Sequence, residues 1–164
     1  MKKIILLLAI LFVLGCGGGN PITSSPRDLS GLEGVWYGSM TVKGNIDYTA
    51  SPDGKFPAHT DPVEDTFPLE WHFTKDSITN GPVTAAPGAR FKYNWSYDGT
   101  ILTLKYENKS EMGGSTLHNV NIMTIPIYPT ATSGIITGTS EQTWTSQNYG
   151  SSYGVLAING NIHR

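Results

Sequence analysis

From residue 91 to residue 106 the chain alternates, and that pattern restricts its fold more than anything else in it. Phe91, Tyr93, Trp95 and Tyr97 are separated by Lys92, Asn94 and Ser96; after Asp98 and Gly99, Leu102, Leu104 and Tyr106 are separated by Thr103 and Lys105. Successive side chains of a strand point to opposite faces, so each run has one apolar and one wet face. The Asp-Gly step between them predicts a tight hairpin whose type I′ turn needs positive φ at both central positions. The same alternation recurs along the chain. In residues 35–42 it sets Trp36, Met40 and Val42 against Tyr37 and Thr41, and further on Leu69, Trp71 and Phe73 against Glu70, His72 and Thr74. Residues 120–127, 134–144 and 153–162 read as later strands, with one more inside 77–84.

Turn chemistry separates these runs. Residues 47–65, with Pro52, Asp53, Gly54, Pro57 and Pro62, read as one long loop, and 108–115 as a polar, glycine-containing turn. Beyond the first fifteen residues nothing repeats apolar side chains at helical spacing for more than a turn or two. The expected fold class is all-β: a single up-and-down, meander antiparallel β-barrel of about eight strands, because closure removes the two exposed edges a long meander would leave.

The amino terminus is of another kind. Lys2 and Lys3 precede an apolar run of 11 residues, Ile4 to Leu14, followed by Gly15 and Cys16. The run has the length of a secretory signal and is too short to span roughly 30 Å of hydrocarbon as a permanent helix. Val13, Leu14, Gly15 and Cys16 resemble the lipobox of bacterial lipoproteins. The resemblance implies that the signal peptide, residues 1–15, is cut, that Cys16 receives a thioether-linked diacylglycerol, and that its new amino group is acylated with a fatty chain such as palmitate. Several acyl chains give stable attachment where one gives only marginal binding. Gly17 rather than Asp after the cysteine points, by analogy with enteric bacteria, to the outer membrane. Residues 16–30, rich in Gly, Asn, Pro, Thr and Ser, are expected as a flexible tether, and residues 31–164 as the barrel domain.

Removing 15 of 164 residues leaves 149, one domain of ordinary size. Lys2 and Lys3 leave with the signal, so nine basic residues face thirteen acidic ones, a net charge of about −4 that gives no footing for nucleic acid. Cys16 is the only cysteine, so no disulfide supports the fold, and the hydrophobic core must suffice.

At Gly34, Val35 and Trp36 the first strand shows a Gly-x-Trp opening similar to that of lipocalins and lipocalin-like bacterial lipoproteins, as do the length, the meander and the stretch from Trp95 to Leu104. The resemblance implies a tryptophan packed across the closed end of the barrel, often against an arginine from a late segment; Arg164 is the only late arginine.

Motifs for chemistry are sparse. His59, His72, His118 and His163 stand apart from other ligands at metal spacing, and Asp61, Glu64 and Asp65 lack the spacing of a calcium loop, so neither metal nor cofactor is expected. The string Gly150-Ser151-Ser152-Tyr153-Gly154 fits Gly-x-Ser-x-Gly but leads into the strand read over 153–162 and not into a helix, so it is no nucleophile elbow; no Gly-rich loop precedes a helix either, and an enzyme is not expected. Trp36, Trp71, Phe91, Tyr93, Trp95 and Tyr97 are the candidate ligand-contacting residues, with plain barrel core as the other reading. The expected function is a non-catalytic, membrane-anchored envelope lipoprotein that binds a small apolar molecule inside the barrel. The alternative is a solidly packed barrel acting on an envelope protein as an assembly factor or inhibitor, which expects exposed aromatic or apolar residues between Asp47 and Phe67.

Overall fold

The protein is described here by a computed structural model that covers residues 28–81 and 91–164, with Phe91 by its backbone alone. The signal segment, Cys16, most of the tether and the end of the strand expected at 77–84 lie outside the described residues. Within them there are strands and no α-helix: β1 Gly34–Tyr48, β2 His59–Thr74, β3 Ser77–Asn80, β4 Phe91–Lys92, β5 Asn94–Tyr97, β6 Ile101–Met112, β7 Ser115–Pro126, β8 Ser133–Ser146 and β9 Gly150–His163.

All belong to one antiparallel sheet in the order β4-β3-β2-β1-β9-β8-β7-β6-β5. Its two ends, β4 and β5, are consecutive in the chain and separated only by Tyr93, whose N–H donates to the Ile78 carbonyl at 3.0 Å. Together they form one strand that pairs with β3 through its first half and with β6 through its second. The result is an eight-stranded meander that nearly closes into a barrel, as the alternation predicts.

Strand length is uneven, and the corrections to the sequence reading follow from that. β1 and β2 run on to Tyr48 and His59, so the loop expected over 47–65 shrinks to 49–58. Pro62, which reads as a loop residue, and Pro68 both fit within β2 because of where they face. Glu70 accepts from Gly81 on the β3 side, so by alternation Pro62 and Pro68 turn toward that same side, above the end of β3, where no ladder N–H is required. The facing edge, the upper part of β6, carries Glu107, Lys109 and Glu111, with Lys105–Glu107 and Lys109–Glu111 ion pairs at 2.9 and 3.4 Å. Prolines and charges blunt edges that would otherwise template pairing with other chains.

The turn expected over 108–115 is likewise only Gly113 and Gly114, with φ of 57° and 79°. These are the two positive-φ positions of a type I′ hairpin. At Asp98-Gly99 the expected geometry is corrected. Gly99 alone has positive φ, 99°, and it occupies the first of the two central positions, as in a type II′ turn. The Asp98 carboxylate accepts from the Thr100 N–H, the Thr100 hydroxyl and the Ile101 N–H, each at 2.8 Å, which holds Asp98 itself outside the turn centre. Gly99→Val should cost roughly 1–3 kcal/mol by forcing a branched residue into a left-handed conformation, read as a lower urea midpoint at unchanged slope.

Leu29, which composition places in the tether, is fully buried, as is Leu32. The Leu29 N–H donates to Lys75 across the end of β2 and the Leu32 N–H to the Leu29 carbonyl, so residues 28–33 plug the end of the barrel at which β1 starts. The domain boundary expected at residue 31 falls inside this plug.

Candidate functional site

The plugged pole is apolar and closed. Trp36 lies fully buried over it, its indole N–H donating to the Leu32 carbonyl at 2.8 Å. The Arg164 guanidinium sits 5.0 Å from the Trp36 ring centroid and donates to the carbonyls of Gly31 at 2.8 Å and Pro129 at 3.2 Å. A planar cation over an indole is attractive, and two carbonyls satisfy its donors. This late arginine on the first-strand tryptophan is the arrangement that the lipocalin resemblance implies.

The described part of the aromatic stripe, Tyr93, Trp95 and Tyr97, faces inward. Tyr93 and Tyr97 are buried, Trp95 is half-buried, and the Phe91 side chain lies outside the described residues. Trp71, fully buried, meets Tyr93 edge-on at 5.7 Å, and Tyr93 meets Tyr106 at 6.1 Å; Trp36 and Trp71 both pack against Phe73. The Tyr97 hydroxyl donates to the Ile127 carbonyl at 3.0 Å. Tyr93, Tyr97, Trp36 and Trp71 therefore form packed core in the lower half.

Burial pushes the Tyr93 phenol up to about 12; the polar groups of Trp71 and Asn80 face it and pull the other way. The neutral form is the one the fold accepts, so this contribution is whole below the ordinary value of 10.0 and is lost as pH rises toward about 12. Tyr93→Phe should flatten the fall of the urea midpoint between pH 10 and pH 12.

Above this core the inner face changes character. Asn108, Asn119 and Gln142 are paired across β6, β7 and β8, and one layer down so are Tyr106, Asn121 and Ser140. Paired residues share a face, and Asn108, Asn119 and Ser140 are buried. Among the described residues the Asn119 Oδ1 has no hydrogen-bond partner. A buried polar atom left unmatched costs about 1–3 kcal/mol, so a donor is wanted at Asn119.

The far pole carries the connecting loops. The 49–58 loop is organised around Ser51, which is buried: its hydroxyl donates to Asp53 at 2.7 Å and accepts from the Phe56 N–H at 3.0 Å, while its own N–H donates to the Phe56 carbonyl at 2.9 Å. Lys55 pairs with Asp53 at 2.8 Å and, with Ser51, holds that carboxyl below its usual range. Phe56 is thereby fixed with half its surface in solvent, its ring 6.1 Å from the equally exposed Tyr149 of the β8–β9 turn. Between the two loops lies an open recess of about 510 Å³, lined by Pro52, Asp53, Lys55, Phe56, Gln147, Asn148 and Tyr149. A neighbouring recess of about 430 Å³ is lined by Gly114, Thr116, Thr145, Ser146, Gln147, Gly150 and Ser151. Sequence reading did not single out Phe56 or Tyr149; the only sign was an aromatic residue set directly among turn formers.

The histidines are dispersed. His59 stacks on Tyr48 at 4.6 Å near Asp61, His72 binds Glu70 at 2.8 Å, and His118 binds Glu107 at 3.1 Å. Asp61 and Asp65 share one face of β2, opposite Ile46 and Val42, while Glu64 points the other way to Lys43 at 2.7 Å. Strand alternation separates the three carboxylates.

Neither a comparison with protein-family models nor one with curated proteins finds a match for this chain.

Proposed function

We propose that the chain is a non-catalytic bacterial envelope lipoprotein with a lipocalin-like barrel, held on the outer membrane through acyl chains on Cys16, that engages an envelope protein through its loop pole. The observation that carries this reading is the pair of exposed aromatic rings, Phe56 and Tyr149, beside the 510 Å³ recess. A loop locked by its own hydrogen bonds presents Phe56 without an ordering cost on binding, and rigid exposed aromatics are the residues that dominate interfaces. The pole also lies at the opposite end from the tether. Fourteen residues of β9 at about 3.3 Å each, tilted as barrel strands are, put the loops roughly 35 Å above the plug.

The test is mass spectrometry of the protein purified from its own membranes, which reports the lipid on Cys16 and any partner retained. Phe56→Ser with Tyr149→Ser should lose a retained partner at least tenfold while leaving the melting temperature within a degree or two, because neither ring is buried. A wild type that retains no protein partner overturns the reading.

The second reading, a small molecule inside the barrel, is favoured by one observation, the unmatched Asn119 oxygen in the upper interior. It then requires a ligand with a hydrogen-bond donor as well as apolar surface. The same spectra would show the molecule, and Asn119→Leu would abolish its retention.

A further inference from the structure

From residue 113 to residue 140 the sequence has no Asp, Glu, Lys or Arg. These residues form β7, the lower part of β8 and the loop between them, so the lower outer wall there has no formal charge. Its lowest row is apolar. Ile101 pairs with Pro126, and continuing the β7–β8 register two residues past Thr124 and Thr137 sets Ile135 beside Pro126. Ile135 is 68% exposed, Ile101 42%, and Tyr128, in the loop just below, 61%. An uncharged patch with several large exposed apolar side chains marks a contact surface.

Its position says what covers it. The plug meets the wall here, because Gly31 abuts Pro129 and Arg164 ties the carbonyls of Gly31 and Pro129 together. Eleven residues lie between Cys16 and Asp28, and the twelve steps reach at most about 40 Å at roughly 3.3–3.6 Å each. The attachment point is thus within one tether length of the patch. Tyrosine at the edge of an apolar surface suits the headgroup region of a bilayer.

We propose that the Ile101–Pro126–Tyr128–Ile135 patch rests on the lipid bilayer, so that the barrel leans on the lower end of its β6–β7–β8 wall instead of standing upright on the tether. This rests on the anchored reading above. The four patch residues carry no charge, and the Asp98 carboxylate and Arg164 guanidinium at its margins are of opposite sign, so the contact depends little on salt or on anionic lipid.

The test uses the lipidated protein reconstituted in phosphatidylethanolamine–phosphatidylglycerol vesicles containing doxyl lipid, with a thiol fluorophore at Ile135→Cys or, on the opposite wall, at Thr66→Cys. Quenching at 135 should exceed that at 66 at least threefold and survive 0.5 M salt; equal quenching overturns the proposal. Mass spectrometry of the same samples separates the two claims, since an unlipidated Cys16 overturns the anchor alone. In that case the patch still predicts that the lipid-free chain floats with the vesicles at any salt and that Ile135→Asp abolishes flotation. A lipid-free wild type that does not float overturns it.

Discussion

Trp36→Ala is expected to cost about 3–5 kcal/mol, as deletion of a large buried aromatic does, and so to remove a large part of a typical domain's stability of about 5–15 kcal/mol. Three losses coincide there. The indole is fully buried between the plug and Phe73, so its removal leaves a cavity bounded by main chain that cannot collapse freely. Its N–H leaves the Leu32 carbonyl without a donor in a buried setting. Arg164 loses the ring beneath it while keeping its carbonyl partners. Arg164→Ala should cost less, about 1–2 kcal/mol, because the guanidinium lies at the surface and water can replace it at both carbonyls. Urea unfolding followed by Trp fluorescence measures both variants, and the argument fails if the arginine variant proves the weaker protein.

How much of this was legible in the sequence depended on which force set each element. Alternation is a direct consequence of one-sided burial, so Trp71, Tyr93 and Leu104 announced their strands and their inner faces, and the meander followed. Strand ends are set by neighbours, and there the sequence reading stopped short. Asn108 belongs in turns by local preference, yet it lies within β6 because β7 supplies its ladder and the inner face above the core is polar. Pro62 read as a loop residue because its edge position depends on β3 stopping at Asn80, which nothing local to Pro62 records. Leu29, a single apolar residue in polar surroundings, has no period at all, and its burial is purely tertiary.

The candidate site divides in the same way. Tyr93, Trp95 and Tyr97 were found and share the interior, but sequence cannot separate a packed wall from a ligand wall, since both need the same large rings. Phe56 and Tyr149 are brought together by two hairpin turns more than ninety residues apart. Only the β1–β9 pairing, which closes the sheet, makes those turns neighbours.

That pairing is also where one added methyl should do most harm. Gly38→Ala places a Cβ on the inner face of β1 where it would overlap the Asn161 carbonyl and crowd the Ile162 backbone. Flexible side chains can move aside for a methyl, but here the obstructing atoms are the main chain of β9, so relief requires separating β1 from β9. Strands approach this closely where a small barrel bends sharply, which is the setting in which a strand keeps a glycine. The expected cost is at or above the top of the roughly 1–3 kcal/mol range for overpacking, because the strain falls on ladder hydrogen bonds instead of on rotamers. Hydrogen exchange should report it locally: amides of β1 from Gly38 to Lys43 and of β9 from Ala157 to Ile162 lose protection, while the β6–β7 hairpin keeps its own. Uniform loss across all strands would show instead that the seam has no independence from the rest of the sheet. A variant as protected as the wild type would show that β9 has room to yield.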